Sequence, residues 1–281
     1  MKIVRYRDIV AAVREMCMKA AVELPDEFTR SLKRSVTKEK SPLGQSILKS
    51  LIENAAIAKR DAVPLCQDTG FAVFFVELGS STIVEGGVLT DAINEGVRLG
   101  YREGFLRASI VDDPIFKRIN TRDNTPAIIH LSMIAGEGLR IVLAPKGGGC
   151  ENMSALSMLK PSDGMQAVID FVVQTVIKAG PNPCPPTIVG VGVGGTADMA
   201  AILAKRALLR PLHSSHPAPE YAKMENTILD TINASGIGPQ GLGGSITALA
   251  VHIETHPCHI ASLPVAVNLN CHAARHVERV L

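Results

Sequence analysis

The residues of this chain most able to do chemistry are cysteines set in polar, proline- and glycine-rich loops. Cys66 lies in Pro64-Leu65-Cys66-Gln67-Asp68-Thr69-Gly70, Cys184 in Asn182-Pro183-Cys184-Pro185-Pro186, and Cys271 in Asn268-Leu269-Asn270-Cys271-His272. Such loops let several thiolates converge on an iron–sulfur cluster without helical crowding. Three thiolates rather than four would leave one corner of a cubane open, which suits Lewis-acid chemistry better than electron transfer. The wide separations form no local ferredoxin pattern, so small buried residues remain an open reading. Cys150 and Cys258 are alternative ligands, each beside a suspected binding loop, whereas Cys17 lies near the apolar face of a helix and reads as core.

Gln67 and Asp68 directly follow Cys66, so an amide and a carboxylate would stand beside anything bound there; the structural alternative is an Asx turn ahead of Gly70. Lys146-Gly147-Gly148-Gly149-Cys150-Glu151 leads from a strand toward a helix, and consecutive glycines can turn backbone N–H groups into one anion-binding concavity. It lacks the ending of a P-loop. Gly190-Val191-Gly192-Val193-Gly194-Gly195 permits a dinucleotide count at Gly190, Gly192 and Gly195, but no acidic residue follows at the expected distance. Close strand–helix packing is the alternative there. His252-Ile253-Glu254-Thr255-His256-Pro257-Cys258-His259 matches no standard zinc spacing and offers acid–base or clamping groups.

The elements that must position these loops follow from periodicity. Residues 8–22 form an amphipathic helix through Ile9, Val13, Met16 and Ala20, and Ser41-Pro42 starts a second helix running to about Arg60. A strand covers 71–78 and a helix about 90–106. Runs at 127–134 and 139–144, joined by Ala135-Gly136-Glu137-Gly138, predict a hairpin. A helix is expected from near Glu151, another from Asp163 to Ala179, a strand over 187–193, and helices to about Leu209 and over 219–234. Strands at 246–253 and 260–268 flank a histidine-rich turn. No internal repeat stands out. The fold class is mixed α/β (α+β), with helices packed on mixed sheets and a helical N-terminal region. A single domain spans 1–281, with a lobe boundary expected near 210–219.

Composition narrows the function. The net charge of +2 carries no footprint for nucleic acid, and hydrophobic residues at 46% with charged residues at 20% suit a globular chain. No long apolar run suggests a membrane span, and residues 1–8 lack the apolar region of a signal peptide, so a cytoplasmic chain with reduced thiols is expected.

In combination, Cys66-Gln67-Asp68-Thr69-Gly70, Leu106-Arg107, Asn120-Thr121, Lys146-Gly147-Gly148-Gly149, Cys184-Pro185-Pro186, Ile237-Gly238-Pro239-Gln240-Gly241 and His259-Ile260-Ala261-Ser262-Leu263-Pro264-Val265 resemble the α subunit, or N-terminal domain, of the class I iron–sulfur fumarate hydratases. The resemblance implies a [4Fe-4S] cluster on Cys66, Cys184 and Cys271. It also implies substrate contacts from Gln67, Arg107 and the Gly149 backbone, with Asp68 and His259 in catalytic positions. The reaction implied is reversible hydration of fumarate to (S)-malate. The chain ends at Leu281, so the remaining active-site groups are expected from a separate β subunit in a hetero-oligomer. The α subunit of a tartrate dehydratase is the nearest rival. A nucleotide-binding oxidoreductase subunit built on Gly190–Gly195, or a non-catalytic module with scattered cysteines, would belong to other classes.

Overall fold

The computed structural model describes residues 1–281 and has the mixed α/β composition expected. In chain order the elements are β1 (Lys2–Arg5), α1 (Tyr6–Val22), α2 (Asp26–Lys38), α3 (Pro42–Asp61), β2 (Phe71–Gly79), β3 (Thr82–Glu85), α4 (Leu89–Glu103), β4 (Ile128–Ile134), β5 (Leu139–Lys146), the single turn α5 (Gly148–Glu151), β6 (Ala155–Leu159), α6 (Gly164–Ala179), β7 (Thr187–Gly194), α7 (Ala197–Ala207), α8 (Pro219–Asn233), β8 (Ala248–His256), β9 (Leu263–Asn270) and β10 (Val277–Val280). None of the helices is long and apolar enough to cross a membrane.

The chain divides into two compact, interleaved units. One comprises Met1–Pro25, Ala55–Gly148 and Arg275–Leu281; the other comprises Asp26–Asn54 and Gly149–Ala274. The division does not fall near 210–219. That stretch lies inside the second unit, where Leu212 N–H donates to Glu27 Oε2 at 2.9 Å and His216 N–H donates to Glu225 Oε2 at 3.0 Å.

In the first unit the strand order is β10-β5-β2-β4, with β2 parallel to β4 and antiparallel to β5. Phe74, Val76, Leu139, Ile141 and Leu143 pack beneath Ile9, Val13 and Met16 of α1 and Ile93 and Val97 of α4. The two helices meet closely because α4 presents glycine: a Cβ at Gly96 would stand 2.6 Å from Val13 Cβ. Cys17 is buried in this core, its thiol pushed up to about 12 by desolvation, as a structural cysteine should be.

In the second unit the order is β6-β9-β7-β8, with β7 parallel to β8 and antiparallel to β9. Side chains alternate across β7. Val189, Val191 and Val193 join α6 and α8 in one core, while Gly190 and Gly192 face α7. A Cβ at Gly190 would lie 2.1 Å from Ala204 O, and one at Gly192 2.0 Å from Ala200 O. The glycine run is therefore a helix-packing surface.

Several local expectations change. The runs at 127–134 and 139–144 do not form a hairpin, because β2 inserts between β4 and β5 and takes the hydrogen bonds of both. The Ala135–Gly138 connection instead wraps the end of β2, with Gly79 N–H on Gly138 O at 2.8 Å and Ser81 N–H on Gly136 O at 2.9 Å. β7 separates β8 from β9 in the same way, and β8 holds His252 as expected but runs on to His256, which lies in the strand rather than in the turn. The helix expected near Glu151 is a single turn that begins at Gly148 and is followed by β6. Asp163 does not cap α6 through its side chain; its carboxylate accepts Lys160 N–H at 2.9 Å. A repeat invisible in sequence is also present: each unit has a central strand with its next sheet partner parallel on one side and the following one antiparallel on the other.

Candidate active site

In the first unit the loop between α3 and β2 carries Cys66, Gln67 and Asp68 to the N-terminal end of β2. Gly70 closes this loop with φ +81, and a Cβ there would meet the Lys146 backbone at 2.8 Å, so only glycine fits. Asp68 is held by two backbone donors: Gly70 N–H reaches Oδ1 at 3.0 Å and Gly148 N–H reaches Oδ2 at 2.8 Å. The Asx turn is thus real, and the same carboxylate also closes the glycine run. Thr69 Oγ1 donates to Arg107 O at 2.7 Å, fixing the backbone of Arg107, whose side chain is exposed. The Cys66 thiol lies 3.4 Å from Gln67 Oε1.

Buried side chains clamp this loop from behind. The Tyr101 hydroxyl lies 2.9 Å from Gly70 O and 3.2 Å from Thr69 O, and desolvation raises its pKa, keeping it a hydrogen-bond donor. Asn124 Nδ2 donates to Gly70 O at 3.1 Å, while its Oδ1 accepts Ser109 N–H at 2.8 Å. Arg275 Nη2 donates to Asp68 O at 2.6 Å.

In the second unit Cys184 and Cys271 gather at the N-terminal end of β7. Cys184 precedes that strand, and Cys271 follows β9, which runs antiparallel to it. His272 joins the two loops, its Nδ1 3.1 Å from Cys184 O. Gln240, in a left-handed conformation with φ 53, donates through its backbone N–H and Nε2 to Pro185 O at 2.8 and 2.9 Å. Its Nε2 also lies 3.2 Å from His272 Nδ1. The Gln240 loop is braced in turn by buried Glu39, which accepts Ser41, Ser245 and Ile246 N–H groups at 2.8–2.9 Å. Burial pushes the Glu39 carboxyl up, but these donors prevail and hold it below the ordinary carboxylate value.

Gly149 and Cys150 share this end of the second sheet. A Cβ at Gly149 would lie 3.1 Å from Asn182 O, and the Cys150 thiol donates to Pro183 O at 3.5 Å. Cys150 is buried whereas Cys184 is exposed and Cys271 half-buried, so Cys150 is the poorer ligand of the three. Glu151 fixes the glycine turn through Lys205 Nζ at 2.6 Å and Asn268 Nδ2 at 3.1 Å.

His259 lies elsewhere. It sits in the β8–β9 connection at the C-terminal end of β7, exposed, with Nδ1 accepting Ala261 N–H at 3.1 Å. The eight residues of β7, about 25 Å of strand, separate it from the Cys184–Cys271 end of the same unit. Cys258 accompanies it, donating to Ser262 O at 3.3 Å. No three His, Cys, Asp or Glu side chains are grouped to hold a single metal ion.

Sequence reasoning did not find Tyr101, Asn124, Arg275, His272 or Glu39 as supports of these loops. Asn124, in the polar run Asp123-Asn124-Thr125-Pro126, carried a turn signal; the others carried none, since their partners are distant in sequence.

Comparison with known proteins identifies the family. A family model described as Fumarate hydratase (Fumerase) matches residues 10–280. The "Putative L(+)-tartrate dehydratase subunit alpha" of Methanocaldococcus jannaschii is 44% identical over 271 residues, covering 94% of both chains. The L(+)-tartrate dehydratase subunit alpha of Escherichia coli strain K12 is 34% identical over 259 residues, covering 91% of this chain and 84% of that one. Its counterpart in Shigella sonnei shows the same identity and coverage. With the motif loops collected at the sheet ends and the family match running through nearly the whole chain, this protein belongs to the fumarate hydratase (Fumerase) family of hydro-lyases.

Proposed function

We propose that this chain is the α subunit of a hydro-lyase that reversibly hydrates fumarate to (S)-malate. The reading includes a [4Fe-4S] cluster on Cys66, Cys184 and Cys271 and an active site completed by a separate β subunit. The observation that carries it is the Cys66–Gly70 loop, which sets a thiol, an amide and a doubly anchored carboxylate side by side. The three cysteines also fit a cluster in character: each stands on a loop at a sheet end, none is fully buried, and two of them are joined by His272. The subunit names of the relatives support a partner chain.

When bound, a cluster held by three protein thiolates supplies an open iron, a Lewis acid that polarises the C2–O bond without net redox change. The chain's own residues then bind and orient. Elimination from malate removes a proton from C3 and hydroxide from C2, and negative charge grows on the carboxylate next to C3. Arg107 is exposed beside the loop and suited to pair with a carboxylate through two N–H donors. The exposed Gly149 backbone N–H is suited to the same developing charge. Gln67, also exposed, can donate through its amide to a substrate oxygen. Each Asp68 oxygen accepts one backbone N–H and keeps a second lone pair, so the carboxylate can hold a proton in transit. The principal base is assigned to the β subunit. His259 reaches a substrate at the Cys184–Cys271 end only if another chain carries it there.

A second reading is favoured by the relatives' names: L(+)-tartrate as substrate, which differs from malate by a hydroxyl on C3. The family description and the resemblance at Lys146–Gly149 and His259–Ser262 favour fumarate. The test is anaerobic reconstitution with the β chain and comparison of kcat/KM for fumarate, malate and L(+)-tartrate. Faster turnover of tartrate than malate would replace the first reading with the second. The reconstituted chain should be brown and hold about four irons, and without the β chain it should not hydrate fumarate at an enzymic rate.

A further inference from the structure

Arg275 is the most anomalous side chain outside the chemistry above. It is 4% exposed, yet no carboxylate pairs with it. Nη2 donates to Asp68 O at 2.6 Å, while Nε and Nη1 are buried without partners. Buried guanidinium groups are ordinarily paired, because an uncompensated buried charge is costly to keep. Arg275 lies two residues before the start of β10, which pairs with β5 so that this residue reaches the sheet end holding Cys66–Gly70 and Gly148. Its charge is felt there, lowering the pKa of Tyr101 against the larger upward push of burial.

The bonds from Thr69, Tyr101 and Asn124 secure the Thr69–Gly70 side of the loop. Arg275 makes the bond to the carbonyl of Asp68, one peptide nearer Cys66. With that carbonyl turned inward, Asp68 is half-buried, while Gln67 stands exposed in front.

We infer that Arg275 is a positioning residue: it locks the Cys66-Gln67-Asp68 backbone and sets an uncompensated positive charge behind it, tuning this end of the sheet for an anionic occupant. The locking role stands on the geometry alone; the anion role rests on the cluster reading, since a thiolate-held cluster and a dicarboxylate are both anionic occupants.

The test compares Arg275→Lys and Arg275→Met in the full-length chain. Met keeps an apolar stem of similar length but loses both charge and donor, and Lys keeps one donor and the charge. Amide hydrogen exchange over residues 66–70 should quicken about tenfold in Arg275→Met, the effect of one lost hydrogen bond. Arg275→Lys should recover most of that protection. After anaerobic reconstitution, iron and sulfide per chain should fall in Arg275→Met and be restored in Arg275→Lys. If Arg275→Met fails to fold, Arg275→Gln against Arg275→Lys makes the same comparison. Exchange in Arg275→Met equal to wild type, or Arg275→Lys as unprotected as Arg275→Met, overturns the inference. A wild-type chain that takes up no iron while the exchange pattern holds removes the cluster reading and leaves the locking role standing.

Discussion

The two units solve the same topological problem in different ways. In each, a cysteine-bearing loop enters the central strand, and the residues that follow the antiparallel neighbour close over it. In the first unit the closing contact is Gly148 N–H on Asp68 Oδ2 at 2.8 Å; in the second it is His272 Nδ1 beside Cys184 O at 3.1 Å. The supports differ. Buried Tyr101, Asn124 and Arg275 all hold backbone carbonyls of the first loop. The second loop leans on half-buried His272 and Gln240, and Cys184 itself is exposed in a left-handed conformation. A shared strand order therefore does not dictate how firmly a loop is held. Burial of the donors does, because a hydrogen bond shielded from water has no competing partner.

The strongest challenge to that comparison is functional. Cys66→Ser should abolish iron uptake and activity together, and so should Cys184→Ser and Cys271→Ser, as read by iron content and fumarate hydration. Cys17→Ala should leave both intact. A Cys184→Ser chain with full iron and activity would remove the second loop from the site.

Next in size is a pair of glycine substitutions read by denaturant unfolding. Gly70→Ala meets the Lys146 backbone at 2.8 Å and a φ of +81, and should cost about 3 kcal/mol or more. Gly243→Ala in the second unit has φ +88 but nothing within 4 Å, and should cost only about 1 kcal/mol. Equal losses would contradict the difference in packing.

The pH dependence should differ between units. His252, buried in β8 of the second unit, has its pKa lowered from 6.5 to about 4, chiefly by desolvation and then by the Arg210 charge. A depressed histidine favours the folded state fully above its unfolded value. That contribution is lost as pH falls from 6.5 toward 4, amounting to at most about 3 kcal/mol. His252→Asn should flatten this acid limb of the stability profile; an unchanged limb would assign it to other groups.

A more modest and local effect should come from His272→Ala. It removes the link between the Cys184 and Cys271 loops at a cost of about 1–2 kcal/mol, seen as faster amide exchange at 183–186 with the Cys66 loop unaffected. Loss of protection in both loops would show that they are held as one.

Much of this was legible in residue order. The helix starts at Ser41-Pro42 and the stop at Gly180 depend on neighbours within a turn, and Gly44 N–H does bond Ser41 Oγ at 3.2 Å. The motif loops were legible because cysteine, glycine and proline have distinctive local behaviour. The predicted hairpin between β4 and β5 failed because short connections suggest adjacency, and only the distant β2 could displace it. The glycines of β7 were ambiguous until α7 was seen lying on them.

By itself, then, the sequence determined most helices, both central strands and the loops that carry the candidate chemistry, since periodicity and turn preference act over a few residues. Only the tertiary structure decided the doubled sheet topology, the removal of His259 to the far end of β7 and the burial of Arg275 behind Asp68. Those depend on which distant segments pair and what they shut away from water, and no short stretch of chain encodes either.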